Sequence, residues 1–535
     1  METKIDNFWF LALALKCKAL SSQNTILQVI FLCLASIVVA LCYWAYPGGP
    51  AWGKYYLKKK GISKTKLIPG PRGFPVLGSL NLMANLAHHK LAAASEVFQA
   101  KRLMAFSLGE TKAVVTCNPD AAKEILNSSV FADRPIKESA YGLMFNRAIG
   151  FAPYGVYWRT LRRIASSHFF CPKQISSTEE QRFQIASQMV SLIANRSTDY
   201  HFQVRDILKR ASLNSMMCSV FGRRYDLDSS NAEVQELRGL VEEGYHLLGK
   251  LNWSDHLPWI ASFDFQKLRL RCSKLVPKVN RFVDSIIQQH RSQTGQRRQD
   301  FVDALLSLPG PDKLSDHDMV AVLWEMIFRG TDTVAVLIEW ILARMVLHPH
   351  VQSKLQDELD QVVGRSRPLM GSDVQSLVYL QAVVKEGLRL HPPGPLLSWA
   401  RLAISDTTVD GYDVPAGTTA MVNMWAISRD PQIWADPLTF QPERFLCKDP
   451  TVDAEFSVLG SDLRLAPFGS GRRACPGKAL GLATVTFWVG TLLHEFKWTQ
   501  SEHDPVDLSE LLRLSCEMAN PLTVNVQRRM STLNY

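Results

Sequence analysis

The segment LAPFGSGRRACPGKALGLATVTFWVG, residues 465–490, joins a glycine-rich turn to a single cysteine at the start of a helix. Gly469 to Ala474 have the G-x-G-x-x-A spacing of turns that hold a dinucleotide pyrophosphate on helical N–H groups. The same turn delivers Cys475 to a helix N-terminus, where a thiolate is favoured. The segment therefore predicts either a dinucleotide site or a site built on Cys475, which could be a nucleophile, a metal ligand or an inert core thiol.

Composition and charge place the chain among globular or membrane-tethered proteins. It has 535 residues, 47% hydrophobic and 21% charged, so it can bury a large core and is too apolar to be disordered. Of the net charge of +10, residues 43–72 carry +7 and residues 1–42 carry +1, which leaves +2 for the rest. A nearly neutral body lacks the basic surface that nucleic acid requires, so we expect no nucleic-acid partner.

Residues 25–46, TILQVIFLCLASIVVALCYWAY, contain no charged side chain and predict one transmembrane helix. At 1.5 Å per residue this segment is about 30 Å long, the thickness of a bilayer core. A cleaved signal peptide is the rival interpretation, but its apolar core would be shorter and would not follow a leader of this length. The lysines after residue 46 predict a cytosolic body by the positive-inside rule.

The rest of the chain divides at a stiff connector. We predict a luminal leader at residues 1–24, a basic and proline-rich linker at 47–79, and one domain at 80–535. The ten cysteines include no C-x-x-C pair. This spacing fits a reducing compartment without a disulfide framework or a cysteine-rich zinc site.

The pattern of the body predicts a mainly α fold with a small β portion. Residues 102–119 alternate well enough for a hairpin, and the pattern is then mostly helical as far as His391. Short strands and turns are predicted over 400–428, followed by the helix after Cys475.

The longest predicted helix begins at Ser315, its N-cap, and ends before Pro349. Its apolar middle contains the polar run Arg329-Gly-Thr-Asp-Thr333, which costs both helix propensity and desolvation. One explanation is structural, with back-bonding hydroxyls and an ion pair. The other is a local opening of the helix that holds a small ligand beside a proton-relaying acid and alcohol.

Three further motifs are weak when each is taken alone. Glu386 and Arg389 form an E-x-x-R pair on one helical face. Arg444 lies in FQPERF, and Trp158 and Arg162 are four residues apart in another predicted helix. Their order along the chain carries more information than any one of them.

Together these motifs resemble one known family, the haem-thiolate monooxygenases called cytochromes P-450. The resemblance covers the body of the chain, and its most specific segment is F-x-x-G-x-R-x-C-x-G. The matching residues of that segment are Phe468, Gly471, Arg473, Cys475 and Gly477. Glu386 and Arg389 match the family's E-x-x-R motif, and Arg444 matches its P-E-R-F motif. Trp158 and Arg162 match its W-x-x-x-R motif. Gly330, Asp332 and Thr333 match most of its oxygen-binding groove.

The finer resemblance is to the membrane-bound plant type. FADRP, residues 131–135, suggests that type, and FRGTDTVA, residues 328–335, resembles the growth-regulating KLUH/PLASTOCHRON group. The resemblance implies a single-pass protein of the endoplasmic reticulum membrane with a role in plant development. It also makes residues 80–535 a haem-thiolate catalytic domain on the cytosolic side.

The resemblance implies haem b as cofactor, with Cys475 as the iron ligand. A dinucleotide-binding turn would follow a buried strand, with an acid about twenty residues later, whereas here a helix occupies that place. The residues implied to hold the haem are Cys475, Phe468, Gly471, Arg473, Gly477, Trp158, Arg162 and, more weakly, Arg401. Glu386, Arg389 and Arg444 are implied to lock the fold around the cysteine, because a desolvated ion-pair network serves geometry better than net stability.

On the other face of the haem, Thr333 is implied to hold dioxygen and Asp332 to bring protons, with Gly330 completing the groove. The implied reaction inserts one oxygen atom into a C–H bond of a lipophilic substrate. NADPH and flavins act only through a separate membrane-bound reductase. A fatty acid is the leading substrate, and a terpenoid or an aromatic compound stays open. Two alternatives also remain, an isomerase or dehydratase acting on a peroxide and a non-catalytic haem protein.

Arg329 departs from the family pattern, which has alanine or glycine at this position. It precedes Thr333 by four residues and therefore lies on the same face of the helix. We predict either an ion pair with Glu325, one turn earlier, or a contact with a polar or anionic group of the substrate.

Overall fold

The structure is a computed structural model that describes most of the body and one N-terminal helix. The described ranges are 25–45, 68–196, 202–228, 231–292, 300–397, 400–446, 457–460 and 462–529. The predicted leader at 1–24 and residues 46–67 of the predicted linker lie outside them.

Helices dominate the described residues, as the sequence predicts. In chain order the α-helices are α1 (Thr25–Ala45), α2 (Ala87–Val97), α3 (Pro119–Asn127), α4 (Glu138–Gly142), α5 (Val156–His168), α6 (Pro172–Ser177), α7 (Glu179–Arg196), α8 (Arg205–Phe221), α9 (Ala232–Gly249), α10 (Leu268–Ser292), α11 (Phe301–Leu306), α12 (Asp316–Leu347), α13 (Pro349–Val362), α14 (Val378–Leu390), α15 (Met424–Ile427) and α16 (Lys478–Glu495).

The strands form one sheet of four and three separate pairs. They are β1 (Met104–Leu108), β2 (Thr111–Thr116), β3 (Arg401–Leu402), β4 (Thr407–Val409), β5 (Tyr412–Val414), β6 (Thr419–Val422), β7 (Phe496–Gln500), β8 (Glu510–Leu512), β9 (Cys516–Met518) and β10 (Val524–Arg528). The larger sheet has the order β1-β2-β6-β3, and the pairs are β4-β5, β7-β10 and β8-β9. In the larger sheet β2 and β6 are parallel, and in the hairpin Met104 lies opposite Val115.

Helix α12 passes through the centre of the body. Its N-cap is Ser315, whose side chain accepts from the amide of Asp318, and it ends before Pro349, as predicted. Most of its side chains are buried because it is apolar nearly all round. Its first half belongs to one hydrophobic core with α9 and α10, and its second half belongs to another with α14 and α16. Helix α12 therefore contributes side chains to both of these hydrophobic cores.

The fold class is confirmed as mainly α with a small β portion. The predicted hairpin is β1-β2, and the predicted strands of 400–428 are β3 to β6. The strands β7 to β10 were not predicted. Residues 496–528 are split into pieces of three to five residues, too short for an alternation pattern to be read.

The apolar segment at the N-terminus is helical where we predicted it. Among the described residues, however, no single helix is long and apolar enough to cross a membrane; the apolar part of α1 is counted over Leu27–Cys42 only. The bent pair Asp316–Leu347 and Pro349–Val362 passes the test together, by length and composition.

Residues 68–79 of the predicted linker lie against the body. Ile68 is buried, and the amide of Ala105 on β1 donates to the carbonyl of Pro69. The described part of the predicted linker is therefore packed on the domain.

Candidate active site

An inner cavity of about 280 Å³ lies between α5, α12 and the turn before α16. It gathers most of the predicted site residues, although they come from distant parts of the chain. The predicted residues that line it are Trp158, Arg162, Arg329, Gly330, Thr333, Arg401, Phe468, Arg473, Cys475 and Gly477.

The turn that carries Cys475 is closed by its own backbone. The amide of Cys475 donates to the carbonyl of Phe468 at 2.9 Å. Gly471 has φ of +67°, and a Cβ there would lie 2.0 Å from the carbonyl oxygen of Leu126, so position 471 requires glycine. Gly477 is the N-cap of α16, which begins at Lys478. The turn therefore presents the sulfur just before a helix N-terminus.

Cys475 faces the inner cavity from within the protein. Its thiol has exposed surface because it borders open space in the cavity. The surrounding protein raises the pKa of Cys475, while Arg329 and the amide of Gly477 oppose that rise. An adjacent metal ion would favour the thiolate far more strongly than these groups do. The groups around Cys475 therefore do not make it an activated nucleophile.

Trp158, Arg162 and Arg473 hold one wall of the cavity through backbone carbonyls. Trp158 Nε1 donates to the carbonyl of Ile149 at 3.0 Å, and Arg162 Nη1 donates to that of Ala474 at 3.0 Å. The guanidinium of Arg473 lies 4.3 Å from the Trp158 ring centre and donates to three carbonyls of residues 132–152.

A cluster of arginines in the cavity bears on whether the cavity fits a haem. Buried Arg401 donates through Nη2 to the carbonyl of Ser470 at 3.3 Å, while its Nη1 has no hydrogen-bond partner among the described residues. Burial lowers the pKa of Arg401 to about 9, and the positive charges of Arg473 and Arg162 add to the effect. A cofactor with two carboxylates would neutralise this cluster and satisfy the orphaned nitrogen. The residues therefore fit the propionate side of a haem.

Arg134 is a cavity residue that we did not predict, although FADRP contains it. This buried side chain lines the same cavity and donates to the carbonyls of Gly150 and Ala400. Burial, together with Arg401 and Arg473, holds the pKa of Arg134 well below its ordinary value. The signal that could have indicated it is the FADRP segment itself, which contains it.

The structure brings Glu386, Arg389 and Arg444 together away from the cavity. Arg389 donates twice to Glu386, at 2.7 and 2.8 Å, and both side chains are completely buried. Arg444 Nε adds a third bond to Glu386 at 3.2 Å. Arg389 also donates to the carbonyls of Ser428 and Pro437. The triad therefore ties α14 to the segment that precedes the cysteine turn.

The structure separates the acid from the alcohol of the predicted groove. Gly330 and Thr333 line the inner cavity, whereas Asp332 lines an outer cavity of about 750 Å³ on the other side of α12. Asp332 Oδ1 lies 3.3 Å from Lys209 Nζ, which also lies 3.4 Å from Glu517. Burial alone would lower the pKa of Lys209, but these two carboxylates outweigh it and raise the pKa. Lys209 could not be found from sequence because α8 carries no motif.

Arg329 has both features that the sequence analysis weighed. Its Nη1 lies 3.8 Å from Glu325 Oε1, so the ion pair one turn earlier exists. It also lines the inner cavity. Glu325 is buried and accepts two further bonds from the amide of Gly150, at 2.9 and 3.1 Å. Glu325 thus has partners besides Arg329.

Comparison with known proteins identifies what this chain is similar to. Residues 68–521 match the Cytochrome P450 family. "Cytochrome P450 78A9" of Arabidopsis thaliana is 66% identical over 535 residues, which cover 99% of each chain. "Cytochrome P450 78A3" of Glycine max is 63% identical over 98% of each chain. "Flavonoid 3'-monooxygenase" of Arabidopsis thaliana is 34% identical over 88% of this chain and 93% of its own length.

Proposed function

Because this chain belongs to the cytochrome P450 family and is a monooxygenase, we propose that it hydroxylates a lipophilic small molecule. NADPH would supply the electrons through a separate flavin-containing reductase. A haem b in the inner cavity would supply the dioxygen-activating redox chemistry. The observation that carries the proposal is that Cys475 and the arginine cluster line one cavity. No other cysteine in the described residues lines it.

The residues around Cys475 would bind and orient the haem. Cys475 Sγ would hold the haem iron, and Phe468 lines the cavity beside it. Arg162, Arg401, Arg473 and the indole of Trp158 would meet the propionates, since all four line the same cavity. Gly471 permits the turn that holds these groups in register.

On the opposite wall, α12 would manage protons. Thr333 lines the cavity one turn from Arg329, and its hydroxyl is the proposed donor to the reacting oxygen. Gly330 keeps the neighbouring wall free of a side chain. Glu386, Arg389 and Arg444 would act at a distance by fixing the cysteine turn.

The character of the inner cavity supports a lipophilic acid as substrate. Its lining includes the apolar side chains Ile149, Phe170, Met326, Val334 and Leu337, together with the guanidinium of Arg329. A fatty acid fits this combination, with its chain on the apolar wall and its carboxylate near Arg329. Such a pose would place an in-chain carbon nearer the reacting centre than the terminal methyl group. The relative named as a flavonoid monooxygenase makes an aromatic substrate the competing outcome.

A membrane location is supported by one apolar face of the domain. Exposed apolar side chains cluster on residues 74–77 and 253–265 and include Phe74, Leu77, Trp253, Trp259, Phe263 and Phe265. The two segments meet at the turn between β1 and β2, where Gly109 donates to the carbonyl of Leu77 and Glu110 to that of His256. Residues 68–79, the described part of the predicted linker, lie against the domain beside this face. We propose the endoplasmic reticulum membrane, with the domain on the cytosolic side and a role in plant development.

The test is reconstitution of the full chain with haem, NADPH and an NADPH-dependent reductase. We expect lauric acid to shift the Soret band and to yield a hydroxylated product. Cys475→Ser should lose the thiolate-type Soret band of the reduced carbon monoxide complex, whereas Cys171→Ser should keep it. Cys171 is a matched control because it is a partly exposed cysteine that does not line the cavity. A retained band in Cys475→Ser would refute the ligand assignment, and turnover of a hydroperoxide without NADPH would favour the isomerase or dehydratase.

A further inference from the structure

The hydroxyl of Tyr245, on α9, contacts one turn of α12 at the polar run. It donates a hydrogen bond to the carbonyl oxygen of Phe328, and the backbone N–H of Asp332 lies near the same hydroxyl and favours its ionised form. In a regular helix this carbonyl and this N–H bond each other, since they are four residues apart. A side chain from a neighbouring helix therefore competes for the carbonyl of one helical hydrogen bond. This is the site at which the sequence analysis considered a local opening.

Close packing of α9 on α12 fixes the Tyr245 ring. The ring stacks on Phe328 with centres 4.4 Å apart and planes 16° apart. At the preceding residue, Gly244, a Cβ would lie 2.7 Å from the Phe328 ring. Burial, and then the charge of Asp332, raise the pKa of Tyr245 well above its ordinary value. The hydroxyl therefore keeps its proton at neutral pH and can both accept and donate.

Tyr245 also lies where the two cavities approach each other. Of the described residues, Tyr245 and Leu514 line both the inner and the outer cavity, and of these two only Tyr245 has a polar side chain. The outer cavity contains Asp332 and Lys209, whereas the inner cavity contains Thr333. A proton that travels from the acid to the alcohol must therefore cross α12.

We propose that the Tyr245 hydroxyl carries protons across α12, from Asp332 and Lys209 in the outer cavity to the inner cavity beside Thr333. The inference rests on the proposed monooxygenase reaction, in which one oxygen atom leaves as water and consumes two protons. In each transfer the Tyr245 oxygen receives a proton from the Asp332 carboxyl group, directly or through water. It releases its own proton to an acceptor in the inner cavity, so Tyr245 ends unchanged. Solvent in the outer cavity then reprotonates Asp332.

The first variant is Tyr245→Phe, which keeps the ring stacked on Phe328 and removes only the hydroxyl. The haem-loaded full chain is assayed with reductase and NADPH, both with lauric acid and without added substrate. We expect several-fold more hydrogen peroxide per NADPH consumed and an altered solvent deuterium isotope effect, with an unchanged thiolate-type Soret band. Hydrogen exchange of the Asp332 amide should also be faster, because the bond that holds this turn of α12 to α9 is gone.

Tyr225→Phe is the matched control. Tyr225 also lines the outer cavity, but its hydroxyl bonds Glu233 on α9 and not α12. A second variant, Lys209→Gln, keeps the relay testable if Tyr245→Phe folds poorly, because it disturbs only the outer end of the path. It should also raise the peroxide yield.

Three results separate the possibilities. If Tyr245→Phe speeds amide exchange at Asp332 but leaves the peroxide yield and isotope effect unchanged, Tyr245 is only a helix support and the relay is wrong. An equal change in Tyr225→Phe would also overturn it. If Thr333→Ala makes no extra peroxide while Tyr245→Phe does, the proposed role of Thr333 fails and the relay stands. The measurement without substrate is independent of whether lauric acid is the right class.

Discussion

Arg329 is the residue whose surroundings bear most directly on substrate choice. It lies one turn from Thr333 and borders the same cavity, while its ion pair with Glu325 is 3.8 Å long. Burial raises the pKa of Glu325, and Arg329 and the amides of Gly150 and Ile149 oppose that rise. Because these amides would still meet an oxygen acceptor at position 325, the two members of the pair can be tested separately.

The first prediction compares Arg329→Lys with Glu325→Gln. Lysine keeps the charge but loses the planar bidentate donor, so lauric acid affinity should fall about tenfold or more, in line with about 1.5–3 kcal/mol for a charge-assisted hydrogen bond. Glu325→Gln keeps an acceptor for Gly150 and should change affinity less. Titration of the Soret shift measures both. Equal losses of haem loading with unchanged affinity would make Arg329 a structural partner alone.

Single residues also show what the sequence could reveal about the site. Cys475, Arg473 and Trp158 could be found because each lies in a short local motif that fixes its geometry. The opposite orientation of Asp332 and Thr333 could not, because adjacent helical residues differ by about 100° and the sequence does not say which direction meets a cavity. Tyr245 was missed for a related reason, since its partner lies on another helix 83 residues away.

At the level of elements, β8 is fastened to α2 by one carboxylate. Glu510 Oε2 lies 2.7 Å from Nε2 of both His88 and His89, and Arg429 lies 3.9 Å from the other oxygen. Although burial would raise the pKa of Glu510, these partners lower it to about 2. The contact joins elements that are 421 residues apart or more, so no local pattern could have predicted it.

This contact predicts an acid-sensitive contribution to stability. Because the folded-state pKa of Glu510 is about 2 against an ordinary 4.5, its ionised form stabilises the fold above pH 4.5 and loses that effect as pH falls towards 2. By the usual conversion this is about 3 kcal/mol near neutral pH. Burial also lowers the pKa of His88, which adds sensitivity in the same direction.

Glu510→Gln should therefore lower the urea midpoint of unfolding near neutral pH and lower it much less at about pH 3. Tryptophan fluorescence of wild type and variant at both pH values measures the difference. Glu517→Gln is a comparison on the neighbouring strand, where the carboxylate meets Lys209 and Arg513 instead of histidines. If the urea midpoints of wild type and Glu510→Gln differ by the same amount at both pH values, the stabilising role of ionised Glu510 is wrong.

The long elements of the fold were predictable because their pattern is strong, and the short ones were not. Helix α12 has an N-cap, a continuous apolar run and a proline just beyond its end, so its bounds could be read directly. The pairs β7-β10 and β8-β9 depend on contacts with α8, α12 and α13, such as the bonds of Gln352 to Trp498. Tertiary packing, not local preference, specifies those strands.

At the scale of the whole molecule, the apolar face includes the part of the predicted linker that lies against the domain. Residues 253–265 expose Trp253, Trp259, Phe263 and Phe265, although aromatic side chains are costly to leave in water. Residues 74–77 of the predicted linker lie beside them, because the carbonyls of Leu77 and His256 both accept from the turn between β1 and β2. The proposed membrane contact of the domain and the described end of the predicted linker would therefore share one surface.

The last prediction separates this surface from the anchor. A chain without residues 1–46 should still bind haem, because the described body forms its cores without α1. It should also still bind phosphatidylcholine vesicles, and Trp259→Ser with Phe263→Ser should weaken that binding at least tenfold, given about 1.5–3 kcal/mol for each buried apolar side chain. Val378→Ser with Leu438→Ser removes equally exposed apolar groups outside this face and should leave binding unchanged. Co-sedimentation measures both pairs. If both pairs of substitutions weaken vesicle binding equally, or if the truncated chain does not bind vesicles, the apolar face has no membrane role. If the truncated chain does not bind haem, the domain boundary is wrong.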